Sequence, residues 1–236
     1  VAMIKDLELL EPPNVTYKFF LWGALKPYTV IAARPDRVFA YDLKWTWKQI
    51  QSMLDKRVES YSRGAIKSFE TLFESEKSLG RIILFSELSP RDCIRICQRV
   101  LSEQFKFDPS SKVFMERIVN SSIEIFCKEK ARELITNANN LKYLSKTNQV
   151  SFTIEELVIE KVAADSPAIR NIINPWTSAG YLKKIGLVSR KNAKAVNEYA
   201  FQDIRLAYLA CPTMAVDEFV RKKVWRCSIS TCKAIF

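Results

Sequence analysis

The residues best placed to do chemistry in this sequence are arginines and lysines. Ser89-Pro90-Arg91-Asp92 opens a helix pattern that continues through Cys-Ile-Arg-Ile-Cys-Gln-Arg-Val-Leu. Ser89 suits the cap, Pro90 suits the first turn, and Asp92 stands where a capping box has its acid. Arg91 is out of place. A cation in the first turn opposes the helix dipole at a cost of about 0.3–1 kcal/mol. Its position therefore points to an anionic partner, a carboxylate or a phosphate. Arg95 and Arg99 follow at intervals of four and put three arginines on one helix face, with Ile94, Cys97 and Leu101 expected to anchor the other.

A second cationic group is the acid-free cluster Lys183, Lys184, Arg190, Lys191 and Lys194, and a third is Arg221, Lys222, Lys223, Arg226 and Lys233. With a net charge of +11, they favour an acidic partner, nucleic acid being the commonest. Other chemistry is excluded by composition. There is no histidine, which removes Ser-His-Asp and Cys-His nucleophiles and the usual general base near neutral pH. Glu155 and Glu156 are adjacent and on a helix do not share a face. Cys227 and Cys232 make at most half of a zinc site, and Cys93 and Cys97 would have to complete it.

The elements that carry these residues read as mainly α with a small β component. The chain is 236 residues long, 48% apolar and 27% charged, with only five glycines; average usage would give roughly 16. Within residues 1–42, Pro12-Pro13 interrupts any helix and Tyr28 to Ala33 is a short strand ending at Arg34-Pro35-Asp36-Arg37. Residues 43–149 read as a helical domain. Trp45, Ile50, Met53, Leu54 and Val58 form one stripe, a second helix follows Ser68, and Ile82 to Phe85 is a short apolar run. Another helix runs from about Ser111 to Ile135, and Asn137 to Asn148 reads as a loop.

In residues 150–210, Thr153 and Glu156 have capping-box spacing, Ser166-Pro167 starts a second short helix, and Trp176 to Ile185 reads as a third, ending at Gly186. Leu187 to Ser189 and Ala195 to Phe201 are strands around a polar turn at Arg190-Lys191-Asn192. Three helices and a basic hairpin are the layout of a winged helix-turn-helix. Residues 211–236 are a basic, cysteine-containing tail. No apolar run is long enough to span a bilayer, and the absence of a signal-peptide pattern together with irregularly spaced cysteines suggests reduced thiols and a cytoplasmic location.

In this order, Arg34-Pro35-Asp36 after a strand, Leu43-Lys-Trp45, Met53-Leu54-Asp-Lys-Arg57, Ser89-Pro90-Arg91-Asp92 and a winged helix, the sequence resembles the C-terminal half of a STAND- or KAP-like bacterial P-loop ATPase, a type often found in anti-phage defence. The resemblance covers most of residues 17–210. It implies that residues 1–42 end an α/β nucleotide-binding core and that residues 43–149 form the helical lid. Arg91 would be the sensor-2-like arginine reaching the γ-phosphate, and Arg34 would lie near the nucleotide or a neighbouring subunit. It further implies a homo-oligomer using ATP and Mg²⁺ and relaying nucleotide state to an effector protein or to nucleic acid. One departure stands out: no glycine precedes a lysine, so the Gly-x4-Gly-Lys-Ser/Thr loop is missing. The chain as given is not catalytic, and the loop is expected upstream, in keeping with a sequence that begins at Val1. The alternative is a stand-alone winged-helix nucleic-acid-binding protein. In that reading Trp176 to Ile185 enters the groove and Lys191 and Lys194 meet phosphates.

Overall fold

The computed structural model describes residues 13–14, 18–20, 41–190 and 193–211, without the side chains of residues 190, 193 and 194. The expected strand ending at Arg34, the turn at Lys191, the basic tail and Cys227 and Cys232 lie outside the described residues. The chain divides into two compact units, Val1–Lys44 and Trp45–Phe236; the second carries the fold described below. It is mostly helical with a small antiparallel sheet.

Helix α1 (Trp47–Tyr61) starts at a capping box formed by Thr46 and Gln49 and buries Ile50 and Leu54. The segment after Ser68 is a single 3-10 turn, Phe69–Leu72, tied by a parallel bridge between Phe73 and Phe114 whose rings lie 5.4 Å apart. The run Ile82 to Phe85 is the second half of a helix, α2 (Lys77–Phe85), buried on nearly every side. Being apolar all round, it fits only at the centre of a bundle. Arg81, in its middle, reaches the rim and bonds Glu116 at 2.9 Å and Asn120 at 2.8 Å.

Helix α3 (Pro90–Phe107) buries Cys93, Ile96, Val100 and Gln104. The anchoring face is thus one position away from the expected one, and Leu101 is 57% exposed. Helix α4 (Glu116–Leu134) begins later than expected. Phe114 is drawn into the bridge with Phe73, and the Met115 and Glu116 amides donate to the side chains of Gln104 and Glu74 instead of a local cap.

Asn137 to Asn148 is not a loop. Asn137 caps helix α5 (Ala138–Lys146), accepting from the amides of Asn139 and Asn140, and Leu144 is buried. An asparagine cluster thus serves as a cap, one of the residue's two preferred uses. Strand β1 (Ser151–Thr153) leads directly into α6 (Ile154–Ile159), where Thr153 and Glu156 form the expected capping box. Helix α7 (Ser166–Ser178) is capped by Asp165. Strands β2 (Leu182–Arg190) and β3 (Ala193–Phe201) and helix α8 (Ile204–Ala210) follow. The sheet order is β1-β3-β2, antiparallel throughout.

The expected helix from Trp176 to Ile185 is overturned. Gly180 adopts φ +77°, its amide donates to Thr177 O at 3.0 Å, and the Tyr181 amide donates to Trp176 O at 2.9 Å. These two bonds are a Schellman ending. They stop α7 at Ser178, so Leu182 to Ile185 starts the hairpin. Trp176 is buried against Phe201, not aimed at solvent.

Two apolar cores result. The first gathers Ile50, Ile82, Ile96, Val119 and Phe126; the second gathers Leu144, Phe152, Leu157, Ile169 and Phe201. Helix α4 enters both, with Phe126 in the first and Ala131 in the second, and so does α8, with Ile204 and Leu206. No described helix is long and apolar enough to cross a membrane.

Candidate nucleic-acid interface

Helix α7 buries Ile169, Ile172, Ile173 and Trp176. That spacing leaves Arg170, Asn171, Asn174 and Thr177 on its solvent face. Arginine and asparagine are the side chains that bond guanine and adenine edges in two places at once. Arg170 makes no ion pair with any described residue. The face is prepared by residues behind it. Asp165 Oδ1 accepts the Ala168 amide at 2.8 Å, and Thr177 donates its hydroxyl back to Ile173 O at 2.9 Å.

The hairpin stands beside this helix. Lys183 and Lys184 are exposed on β2. Arg190 and Lys194 lie on the hairpin backbone, at the end of β2 and near the start of β3. Between the helix and the hairpin is an open cleft of about 300 Å³, lined by Glu155 of α6, Ser166, Arg170 and Asn174 of α7, and Asn197 and Tyr199 of β3, among others. Alternation along β3 places Asn197, Tyr199 and Phe201 on one face of the sheet. Phe201 is in the core, so the cleft is where the core-facing side of the hairpin passes the end of the core.

Arg91 sits elsewhere, in the first turn of α3. It is exposed and makes no ion pair with any described residue. Ser89 Oγ accepts the Asp92 amide as expected. The Asp92 carboxylate, by contrast, turns inward. It meets Arg205 at 3.2 Å and Lys130 at 3.5 Å. Arg205, only 8% exposed, also bonds Asp203 at 2.6 Å and Glu87 at 3.1 Å. Burial alone would depress the Arg205 guanidinium, but the hydrogen bonds and charge of Asp203, with Glu87 and Asp92 behind, push it above its ordinary value. Glu87 and the following Leu88 both have left-handed backbones, φ +50° and +58°. Such residues cost about 1–3 kcal/mol each and persist only when held; Arg205 holds Glu87.

The other two arginines of the α3 face are tied to α4. Arg95 pairs with Glu133 at 3.2 Å and stacks over Phe126, and Arg99 pairs with Glu129. Of the three, Arg91 alone faces solvent without a described partner. Of the Arg205 group only Asp203, two positions away, was in local reach; Asp92 and Glu87 are 113 and 118 positions away.

Among the described residues no three histidine, cysteine, aspartate or glutamate side chains gather as for a metal. The Cys97 thiol is pushed up by its hydrogen bond with Cys93 and then by burial, and burial pushes up the Cys127 thiol. Both are thiols, not thiolates, near neutral pH. Compared with protein-family models, curated proteins and solved structures, the chain finds no match in any of the three.

Proposed function

We propose that residues 138–201 form a winged helix-turn-helix that binds nucleic acid, with α7 as the recognition helix and the β2–β3 hairpin as the wing. The observation that carries this reading is the solvent face of α7, where Arg170, Asn171 and Asn174 stand beside a hairpin bearing Lys183 and Lys184. The element order α5, β1, α6, α7, β2, β3 supports it. So does the sequence charge of +11. The recognition helix is not Trp176 to Ile185; the segment that replaces it offers the long polar side chains which that one lacked.

Phosphate contacts make such binding steeply salt-dependent. Titrating the protein with labelled oligonucleotides at several salt concentrations tests the reading. Lys183→Ala with Lys184→Ala should flatten the salt slope by about two. Retention of the full slope by that double variant, or no binding at low salt, would sink the proposal.

A second reading concerns the helical part. We propose that it is the lid of an oligomeric P-loop NTPase, using ATP and Mg²⁺ bound by residues outside this sequence. Arg91 favours it, as an exposed cation with no ion-pair partner among the described residues, on a helix preceded by two left-handed residues. In that protein the nucleotide state would be relayed to the nucleic-acid module or to an effector, which suits anti-phage defence. In a longer chain carrying the Gly-x4-Gly-Lys loop, Arg91→Ala should weaken ATP turnover. Unchanged turnover and ATP affinity would remove Arg91 from the site.

A further inference from the structure

The cleft between α7 and the hairpin has a composition that plain duplex binding does not use. Its walls carry two amides, Asn174 and Asn197, one aromatic ring, Tyr199, one cation, Arg170, and one acid, Glu155. An amide side chain offers both donors and an acceptor, which is what the pairing edge of a base requires. About 300 Å³ is at the small end of ligand pockets, and a concavity of this kind does not admit a base still held in a pair.

The hairpin extends the same wall. Residues directly opposite each other in an antiparallel pair share a face. Lys184 is opposite Tyr199, and Leu187 is opposite Asn197. Leu187 is on this side because of a β-bulge. The register slips between Lys184 and Gly186, leaving Ile185 as the extra residue on β2. Were Ile185 paired in a regular ladder instead of bulged, Gly186 would face the cleft and Leu187 would face away. Leu187 is 63% exposed, an apolar platform beside the cleft with Lys184 next along the strand.

We propose that this cleft receives an unpaired nucleobase, so that the chain prefers single-stranded nucleic acid to duplex. The inference rests on the nucleic-acid reading above and deepens it. The base edge bonds Asn174 and Asn197 and its face lies on Tyr199. A neighbouring base covers Leu187, and the phosphates run past Arg170 and Lys184. Stacking platforms joined to cations are the general means of holding single strands, and splayed bases read on their edges are the general means of reading them.

The test uses the full chain with a labelled 20-mer as single strand and as duplex, and a single strand carrying 2-aminopurine. The single strand should bind at least about tenfold more tightly, and 2-aminopurine should brighten as it leaves the stack on binding the wild-type protein. Asn197→Ala, in the cleft wall on β3, should abolish the brightening and cost the single strand about tenfold, leaving duplex affinity unchanged. Lys184→Ala, on the cleft face across from Tyr199, should lower the salt slope for both forms. Equal affinity for the two forms without brightening would overturn the inference and leave the nucleic-acid reading standing. Failure to bind either form at low salt would overturn both.

Discussion

Arg205 is the buried cation among the described residues. It serves three carboxylates from two stretches of chain far apart in sequence: Glu87 and Asp92 at the entry to α3, and Asp203 at the entry to α8. Removing one member of a buried ion group strands the others and costs about 3–5 kcal/mol. Arg205→Met should therefore lower unfolding free energy by about that amount, measured by urea denaturation. Asp92→Asn, which keeps a polar group in place, should cost less. Acid should act on a neighbouring pair. The Glu133 carboxyl is held below the usual carboxylate range by its hydrogen bond to Lys130, with Arg95 assisting. A carboxyl with a lowered folded value stabilises the fold above its unfolded value and loses that contribution as pH falls through the folded one. Between about pH 5 and pH 3 the wild type should lose more thermal stability than Glu133→Gln. Equal losses would show that Glu133 adds nothing.

At the scale of elements, the endings matter more than the middles. Gly180 has φ +77°, and a Cβ there would meet nothing within 4 Å. Its replacement thus measures backbone strain without a clash. Gly180→Ala should cost about 1–2 kcal/mol, and Gly180→Asn less, since asparagine tolerates the left-handed region. Thermal denaturation of the two variants checks the order. Where an element is set by neighbours a few positions apart, it was legible in the sequence: Ser89 capping Asp92, Thr153 with Glu156, and the hairpin strand ending at Phe201. Where a local signal has two meanings it was misread. Asn137 suits a loop or a cap, and the apolar residues after Trp176 fit a helix until Gly180 turns left-handed. Of the candidate site, the hairpin lysines were legible as a cluster, but the face of α7 was not. Its polar residues belong to a helix whose end was misplaced, and the cleft needs β3 beside α6 and α7, which no local pattern states.

At the scale of the whole unit, the two cores are bound by shared elements. Helices α4 and α8 each place side chains in both. A defect in one core should be felt in the other. Ile123→Ala, a buried truncation in the first core, should cost about 2–5 kcal/mol. Amide exchange should then accelerate in β1 and β3 as well as in α3 and α4. Exchange confined to the first core would mean that the cores open independently. The buried thiols report the same unit. Cys93 and Cys127 should resist alkylation in the folded chain and react together on unfolding, followed by mass spectrometry of the peptides.

The extra residue in β2 has a consequence for how this surface can change over time. A strand addresses its side chains by parity, and Ile185 inverts that parity for everything beyond it. Loss of the codon at that position would remove the bulge and restore regular alternation, with Gly186 still opposite Glu198 and Leu187 still opposite Asn197. A lineage could therefore shed the extra residue in a single step and keep both faces of the hairpin, giving up the local bend and added twist but not the platform.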